Sequence, residues 1–232
     1  MNVAKNYIDD FLHLFFPHVC IGCGSDVLNN KDILCARCID ALPITGFISS
    51  ANNPVEKIFI GRINVQHAGS AFYFTKDSVI QQAIIQLKYK GNQPAGIFLG
   101  KLLGHQLTQS ERFDDADVII PVPLNDKKFY KRGYNQAEVI AKGIASVWQR
   151  PVINNAVERI LFTETQTHKN RIDRWETMEG MFTVTRPDAV AGKHILLVDD
   201  VITTGATLEA CGQAILKIPD IKLSVATLAY TI

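Results

Sequence analysis

Residues 195–208 read Ile-Leu-Leu-Val-Asp-Asp-Val-Ile-Thr-Thr-Gly-Ala-Thr-Leu. The apolar run Ile195–Val198 forms a buried strand, and Asp199 and Asp200 stand at its C-terminal end. Thr203, Thr204, Gly205, Ala206 and Thr207 then make a small, hydroxyl-rich turn that opens a helix. Backbone N–H groups in such a turn, together with a helix N-terminus, attract a phosphate. The two carboxylates can accept hydrogen bonds from ribose hydroxyls or hold a metal-bound ribose. In open α/β sheets ligands bind in the crevice beyond the carboxyl ends of the strands. The segment therefore suits a sugar phosphate. Leu-Leu-Val-Asp-Asp also begins many phosphoacceptor receiver domains, but too few residues follow Asp200 to complete one.

Two acids followed by Thr-Thr-Gly-Ala-Thr make the segment similar to the phosphoribosyl pyrophosphate (PRPP) signature of the type I phosphoribosyltransferases. The chain has 232 residues, which suits one α/β domain and a small appendage. Apolar residues make up 47%, enough for a sizeable core, and the net charge of +1 gives no global basic field to draw nucleic acid. No run reaches the length of a membrane span. The first residues hold Asp9 and Asp10, with no basic start and no small-residue cleavage site, so the expectation is a cytoplasmic chain without a signal peptide. Tyr7, Phe11, Leu14 and Phe15 fall on one face of an N-terminal helix. Without flanking basic residues, that helix is expected to pack on its own domain rather than on a membrane.

Five cysteines occur, four of them as Cys20-x-x-Cys23 and Cys35-x-x-Cys38. Each pair forms a tight turn that aims two sulfurs at one point, and Zn²⁺ needs four ligands in a tetrahedron. Structural zinc is the expectation; two disulfides or a redox pair are the alternatives, disfavoured in a cytosolic chain. Four thiolates leave no open coordination position, which makes such a metal structural and not catalytic. Cys211 lies on a stripe with Leu208 and Ile215 and reads as a small buried hydrophobe.

Residues 43–66, rich in Pro, Gly, Ser and Asn, read as linker and irregular entry to the main domain. His67–Phe74 reads as a strand. A helix follows, with Ser78 and Gln81 as its capping box and Gly91 closing it. A second helix begins near Pro94 and buries Leu99, Leu102 and Leu103. Val118–Ile120 is a buried strand stopped by Pro121 and Pro123. Lys127, Lys128, Lys131 and Arg132 then load a loop with positive charge ahead of a helix capped by Asn135 and Glu138, a second anion site. Residues 158–180 are polar, carry Arg159, Lys169, Arg171 and Arg174, and read as a mobile basic loop or hairpin. Phe182–Val184, the 195–198 strand and Leu223–Thr227 are expected to complete a mostly parallel sheet flanked by helices, an α/β fold.

Taken together, the chain resembles the ComF/GntX family, bacterial competence-associated proteins that join an N-terminal zinc motif to a phosphoribosyltransferase-type domain. The double Cys-x-x-Cys, Leu87-Lys88-Tyr89-Lys90-Gly91, Pro121-Val122-Pro123-Leu124, Arg132-Gly133-Tyr134-Asn135-Gln136, Thr163-x-x-Gln166, Arg174, Gly180 and Phe182 carry the resemblance, and the PRPP segment closes it. Lys169 and Thr177 depart from residues common in the family. The division that results is an N-terminal helix and four-cysteine zinc motif over 1–45, a linker over 46–66 and a type I phosphoribosyltransferase-like domain over 67–232. The resemblance implies PRPP or a related sugar phosphate as ligand, a link to DNA uptake, and an acceptor that the motifs leave unidentified.

Phosphoribosyl transfer needs a grip on the 5-phosphate, a grip on the ribose hydroxyls and positive charge beside the leaving pyrophosphate. Thr203–Thr207 are assigned to the phosphate, and Asp199 and Asp200 to the ribose, directly or through Mg²⁺. Arg132 is the first candidate for the pyrophosphate. Lys88, Lys131, Gly133, Asn135, Gln136, Gln166 and Arg171 are further candidates, and the 158–180 segment is expected to close as a lid with Arg171 or Arg174 shielding the leaving group. Three functions fit: a transferase, a non-catalytic PRPP- or nucleotide-binding regulatory module, and a partner for single-stranded DNA or for DNA-uptake proteins, since Phe129, Tyr130 and Tyr134 interleave with basic residues.

Overall fold

The computed structural model describes residues 19–26, 28, 32–160 and 180–232. The expected N-terminal helix and most of the basic 158–180 loop, including Gln166, Arg171 and Arg174, lie outside the described residues. Four strands form one parallel sheet: β1 (Ala68–Phe74), β2 (Val118–Pro121), β5 (His194–Ile202) and β6 (Lys222–Thr231), in the order β1-β6-β5-β2. β5 is therefore a central strand. It alternates strictly: Leu196 and Val198 face one core, Ile195 and Leu197 the other, and all four are buried. A strand covered on both faces must be apolar throughout, which is why Ile195–Val198 is legible as a continuous run.

Short helices α1 (Ala36–Asp40), within the cysteine motif, and α7 (Pro187–Val190), ahead of β5, lie outside the main layers. One face of the sheet carries α3 (Val79–Tyr89), α4 (Gln93–Thr108) and α6 (Gln136–Trp148), whose Leu87, Leu99, Leu103, Ile140 and Ile144 pack against Phe72, Ile119 and Leu196. The opposite face carries α8 (Ala206–Leu216), with Leu208, Cys211 and Ile215 inside. Leu102, expected in the core, is only half-buried. α4 and α6 touch backbone to backbone. A Cβ on Gly100 would meet the Ile140 carbonyl oxygen at 2.3 Å, and one on Gly143 would meet that of Ile97 at 2.4 Å. Glycine is thus retained in two helix interiors where alanine is the better helix former.

Several expectations need correction. The first concerns residues 43–66, which are not a bare linker. Pro43–Thr45 pair with the free edge of β1, through Tyr73 N–H to the Pro43 carbonyl and Thr45 N–H to the Ala71 carbonyl. α2 (Pro54–Phe59) follows, capped by Asn53, with Val55 and Phe59 fully buried. Arg112 donates to the carbonyls of Phe47, Ile48 and Ser50 and pairs with Glu56, so this stretch is bound to the main domain. Its composition is turn-like because an irregular path needs Gly, Pro and Asn, whether or not that path is packed.

The second concerns Phe182–Val184. It forms β4, which pairs antiparallel with β3 (Val157–Arg159) in a separate two-stranded sheet. Short runs carry no signal of their partner. The third concerns the basic loop, which is largely helical. α5 (Asp126–Arg132) is capped by Asn125 and ends at Gly133, whose φ of 78° is the left-handed conformation that glycine adopts most readily. Asn135 does cap α6, but Glu138 does not complete a box with it; its carboxylate pairs with Lys142 and accepts from Asn154. Likewise Ser78 caps α3, while the Gln81 side chain reaches past it to the Asp77 N–H.

Gly100→Ala is expected to destabilise the protein by about 3 kcal/mol, because backbone cannot retreat as a side chain can. Gly104→Ala, where the nearest approach is 3.0 Å, should cost less. Urea unfolding of the two variants checks this, and equal midpoints for Gly100→Ala and the parent would show that the helices can separate.

Candidate functional site

β5 runs past the apolar segment and carries the acid pair inside its ladder, with Asp199 paired in register to Thr227. Alternation sends the two carboxylates to opposite sides. Asp200 is buried and its carboxylate meets the Lys88 ammonium from the end of α3 at 2.9 Å, with the two side chains 6% and 22% exposed. That pairing compensates a charge which burial alone would expel. Asp199 accepts from the Asp200 N–H at 2.8 Å. Burial and the neighbouring Asp200 charge push its carboxyl up to about 7, with Lys88 and Lys128 acting in the opposite direction.

Beyond Ile202 the loop bends at Gly205, whose φ is 74°, and α8 begins. No side chain caps α8, so the first N–H groups of this helix face the crevice without a protein acceptor of that kind. Thr203, Thr204 and Thr207 are exposed, and Asp199 and Thr203–Thr207 line one small cavity. The loop is held from behind by a residue that the sequence does not flag. Arg62 donates to the Thr204 carbonyl at 2.7 Å and to the Ile58 carbonyl at 3.1 Å, and pairs with Glu209 in the first turn of α8. Ile58 of α2 sits so close that a Cβ on Gly205 would meet its Cγ2 at 2.5 Å. The 46–66 segment thus supports the Thr203–Thr207 loop. Arg62 lies 142 positions before Thr204 and belongs to no motif, so only the fold brings it there.

Lys88 also lines a second cavity of about 320 Å³, together with Tyr89, Gly91, Lys128, Lys131, Arg132 and Tyr134. Arg132 donates to the Gln136 side chain at 2.6 Å and lies over the Tyr89 ring at 5.6 Å. Gln136 is buried, and Asn135 both caps α6 and donates to the Val122 carbonyl. Those two candidates are engaged in shaping the α5–α6 corner. Lys88 joins the acid pair to the cationic cavity; Lys128 belongs to the basic stretch read as an anion site and Tyr134 to the aromatics interleaved with it, while Tyr89 enters the site without having been assigned a role there.

The four N-terminal cysteines converge. Their sulfurs lie within 4.8 Å of one another, with Cys23 and Cys35 3.8 Å apart. Sulfurs each about 2.3 Å from a tetrahedral zinc are spaced by about 3.8 Å. The Cys35 N–H donates to the Cys20 sulfur at 3.3 Å. Burial pushes the Cys20 thiol up, but this and further N–H donors from Cys23 and Gly22 outweigh it and bring it down to about 6. Gly22 leaves room for the cluster, since a Cβ there would meet the Cys38 sulfur at 2.9 Å. The donor set is compatible with a structural zinc ion. Ile21, Val79 and Phe98 pack against the cluster and tie it to α3 and α4.

Residues 129–230 match the family described as phosphoribosyl transferase domain. The chain is 26% identical over 225 residues to Competence protein F of Haemophilus influenzae, covering 88% of this chain and 93% of that protein. It is 28% identical over 145 residues to Competence protein ComFC of Bacillus subtilis, covering 62% and 56% of the two chains. It is also 28% identical over 137 residues to DNA utilization protein YhgH of Escherichia coli K12, covering 58% and 60%. The chain thus spans little more than half the length of the latter two. Sheet order, acid pair and loop define a type I phosphoribosyltransferase-like domain. With the four-cysteine cluster ahead of that domain, the chain is similar in its arrangement to the ComF proteins.

Arg62→Ala should free the 203–207 loop without unfolding the sheet. A partly exposed ion pair and its hydrogen bonds contribute on the order of 1 kcal/mol to global stability. Hydrogen exchange at the amides of Gly205, Ala206 and Thr207 should quicken, with Arg62→Lys in between. Unchanged exchange in the alanine variant would mean that the loop holds its own shape.

Proposed function

We propose that this chain binds PRPP with Mg²⁺ at the carboxyl end of β5 and transfers the phosphoribosyl group to an acceptor, releasing pyrophosphate. The observation that carries this reading is the juxtaposition of Asp199 and Asp200 with the uncapped N-terminus of α8, and with Lys88 at 2.9 Å from Asp200. Thr203–Thr207 would hold the 5-phosphate through backbone N–H groups and hydroxyls. Asp199 and Asp200 would take the ribose hydroxyls. Lys88, Lys131 and Arg132 would face the pyrophosphate. In the reaction the C1–O bond to pyrophosphate breaks and its electron pair leaves with that group. The acceptor's lone pair closes the new bond to C1, and the acceptor loses a proton. Magnesium, when bound, neutralises charge on the phosphate oxygens. Zinc at Cys20, Cys23, Cys35 and Cys38 would be structural.

Among the described residues no helix is long and apolar enough to cross a membrane, and we place the protein in the cytoplasm, where PRPP chemistry and reduced thiols belong. The names of its relatives, Competence protein F and DNA utilization protein YhgH, support a role in the handling of incoming DNA. A second reading, contact with single-stranded DNA or DNA-uptake proteins, is favoured by Phe129 and Tyr130, which stand exposed on α5 among Lys127, Lys128 and Lys131.

Calorimetry with PRPP and Mg²⁺ should give one site, and Asp200→Asn should weaken it by about 1.5–3 kcal/mol, the loss of one charged hydrogen-bonding partner. Equal affinity in the variant would remove the acid pair from the ribose site. Binding without pyrophosphate release, across a broad panel of bases and amines, would favour the regulatory module over the transferase.

Metal analysis of the purified protein should return about one zinc per chain, since four thiolates make one tetrahedral site. Cys35→Ser should loosen the cysteine module while the sheet keeps its far-ultraviolet circular dichroism. Zinc-free protein whose thiols react rapidly in the folded state would refute the assignment.

A further inference from the structure

Two parts of the site call on Lys88. Its ammonium lies 2.9 Å from Oδ2 of Asp200, and its side chain also lines the cationic cavity beside Lys131 and Arg132. An ammonium that stays on a buried carboxylate has its charge cancelled there and offers a pyrophosphate little. Other ion pairs of the molecule are locked by further bonds. Arg62, paired with Glu209, also donates to the Ile58 and Thr204 carbonyls, and Arg112, paired with Glu56, donates to those of Phe47, Ile48 and Ser50. The Lys88–Asp200 pair lacks such support. Asp200 Oδ2 is buried and, among the described residues, has no partner other than this ammonium. A buried pair without additional donors does not recover the full cost of leaving water, so hydroxyl donors on a ligand can compete for the carboxylate.

The end of α3 is fixed while the Lys88 side chain is free to turn. Leu87 is fully buried, its carbonyl accepts the Tyr134 hydroxyl, and Gly91 turns the chain away with a φ of 69°. Lys88 therefore carries its charge on a flexible four-carbon stem from an anchored backbone. Its side chain is 22% exposed, and the cavity that it lines holds Lys128, Lys131 and Arg132 but no acidic residue. In the empty protein those three cations repel the ammonium and keep it on Asp200. An anion placed among them reverses that balance, because it attracts all four charges.

We propose that Lys88 is an exchangeable counterion: it neutralises Asp200 in the empty protein and turns to the pyrophosphate once ribose hydroxyls have taken over that carboxylate. The two halves of the ligand are thereby coupled, since the ribose half releases the cation that the pyrophosphate half uses. The same exchange works in reverse, because a pyrophosphate that draws Lys88 away leaves Asp200 in need of donors. The proposal rests on the PRPP reading above and adds to it how one half of the site senses the other.

The test uses the full chain as purified. Ribose 5-phosphate and magnesium pyrophosphate are titrated singly and then each in the presence of the other, with PRPP and Mg²⁺ in parallel. Ribose 5-phosphate should tighten pyrophosphate by about tenfold, and pyrophosphate should tighten ribose 5-phosphate by the same factor, as linkage requires. Lys88→Met should abolish this mutual effect while both ligands still bind. Lys88→Arg keeps the charge and grips a carboxylate with two N–H groups, so each ligand alone should bind more weakly than to the parent while the mutual effect persists. If the methionine variant does not fold, the arginine variant decides, and single ligands bound by it as by the parent would overturn the proposal. Independent binding of the two ligands to the parent, with PRPP still bound, would overturn it and leave the PRPP reading standing. So would a mutual effect of equal size in the parent and in Lys88→Met. Absence of PRPP binding would overturn the PRPP reading itself, and the exchange with it.

Discussion

A buried carboxylate at the end of a central strand has to be compensated, and the pairing of Asp200 with Lys88 does this. Removing two charges from water costs several kcal/mol per ion, recovered only where geometry is close and other polar partners are present. The ammonium reaches Asp200 because α3 ends beside the carboxyl end of β5, and α3 ends there because Leu87 and Ile84 are buried against the sheet. Breaking that packing would leave two adjacent carboxylates on β5 without a countercharge. The same contact links the acid pair to the cationic cavity, since Lys88 belongs to both. The position of α3 is therefore both a packing result and a condition of the site.

The loop that follows the acids depends on a different support. Its N–H groups can face a ligand only if its carbonyls are held elsewhere, and Arg62 holds that of Thr204 while pairing with Glu209. α2 stands behind Gly205, with Ile58 against it and Phe59 in the core. A segment of turn-like composition thus braces the loop. The family match covers 129–230 and does not include this support. The cysteine cluster packs at the other end of α3, with Val79 and Ile21 between them. Metal at that cluster would stiffen the start of the helix whose last residues, Lys88 and Tyr89, line the site.

The strand–acid–Thr/Gly–helix order of 195–208 and the two Cys-x-x-Cys pairs were legible from residue order alone, because each is a local pattern whose chemistry lies within a few positions. The buried strands and the faces of α3, α4 and α6 were legible for the same reason, through apolar spacing. The helical nature of Asp126–Arg132 was masked by its charge, which reads as loop when no apolar face is present. The pairing of β3 with β4 and the role of Arg62 had no local signal at all.

Residue order by itself therefore determined the class of fold, the acid pair, the Thr/Gly loop that opens a helix and the four thiol donors, since short-range geometry follows from chain stereochemistry and turn chemistry. Tertiary structure alone decided which lysine meets Asp200, which arginine backs the loop, and that Tyr89, Arg132 and Tyr134 share one cavity. Those contacts join positions far apart in the chain. They exist because apolar faces pack in one arrangement, and no periodicity along the sequence encodes which polar side chains that arrangement brings together.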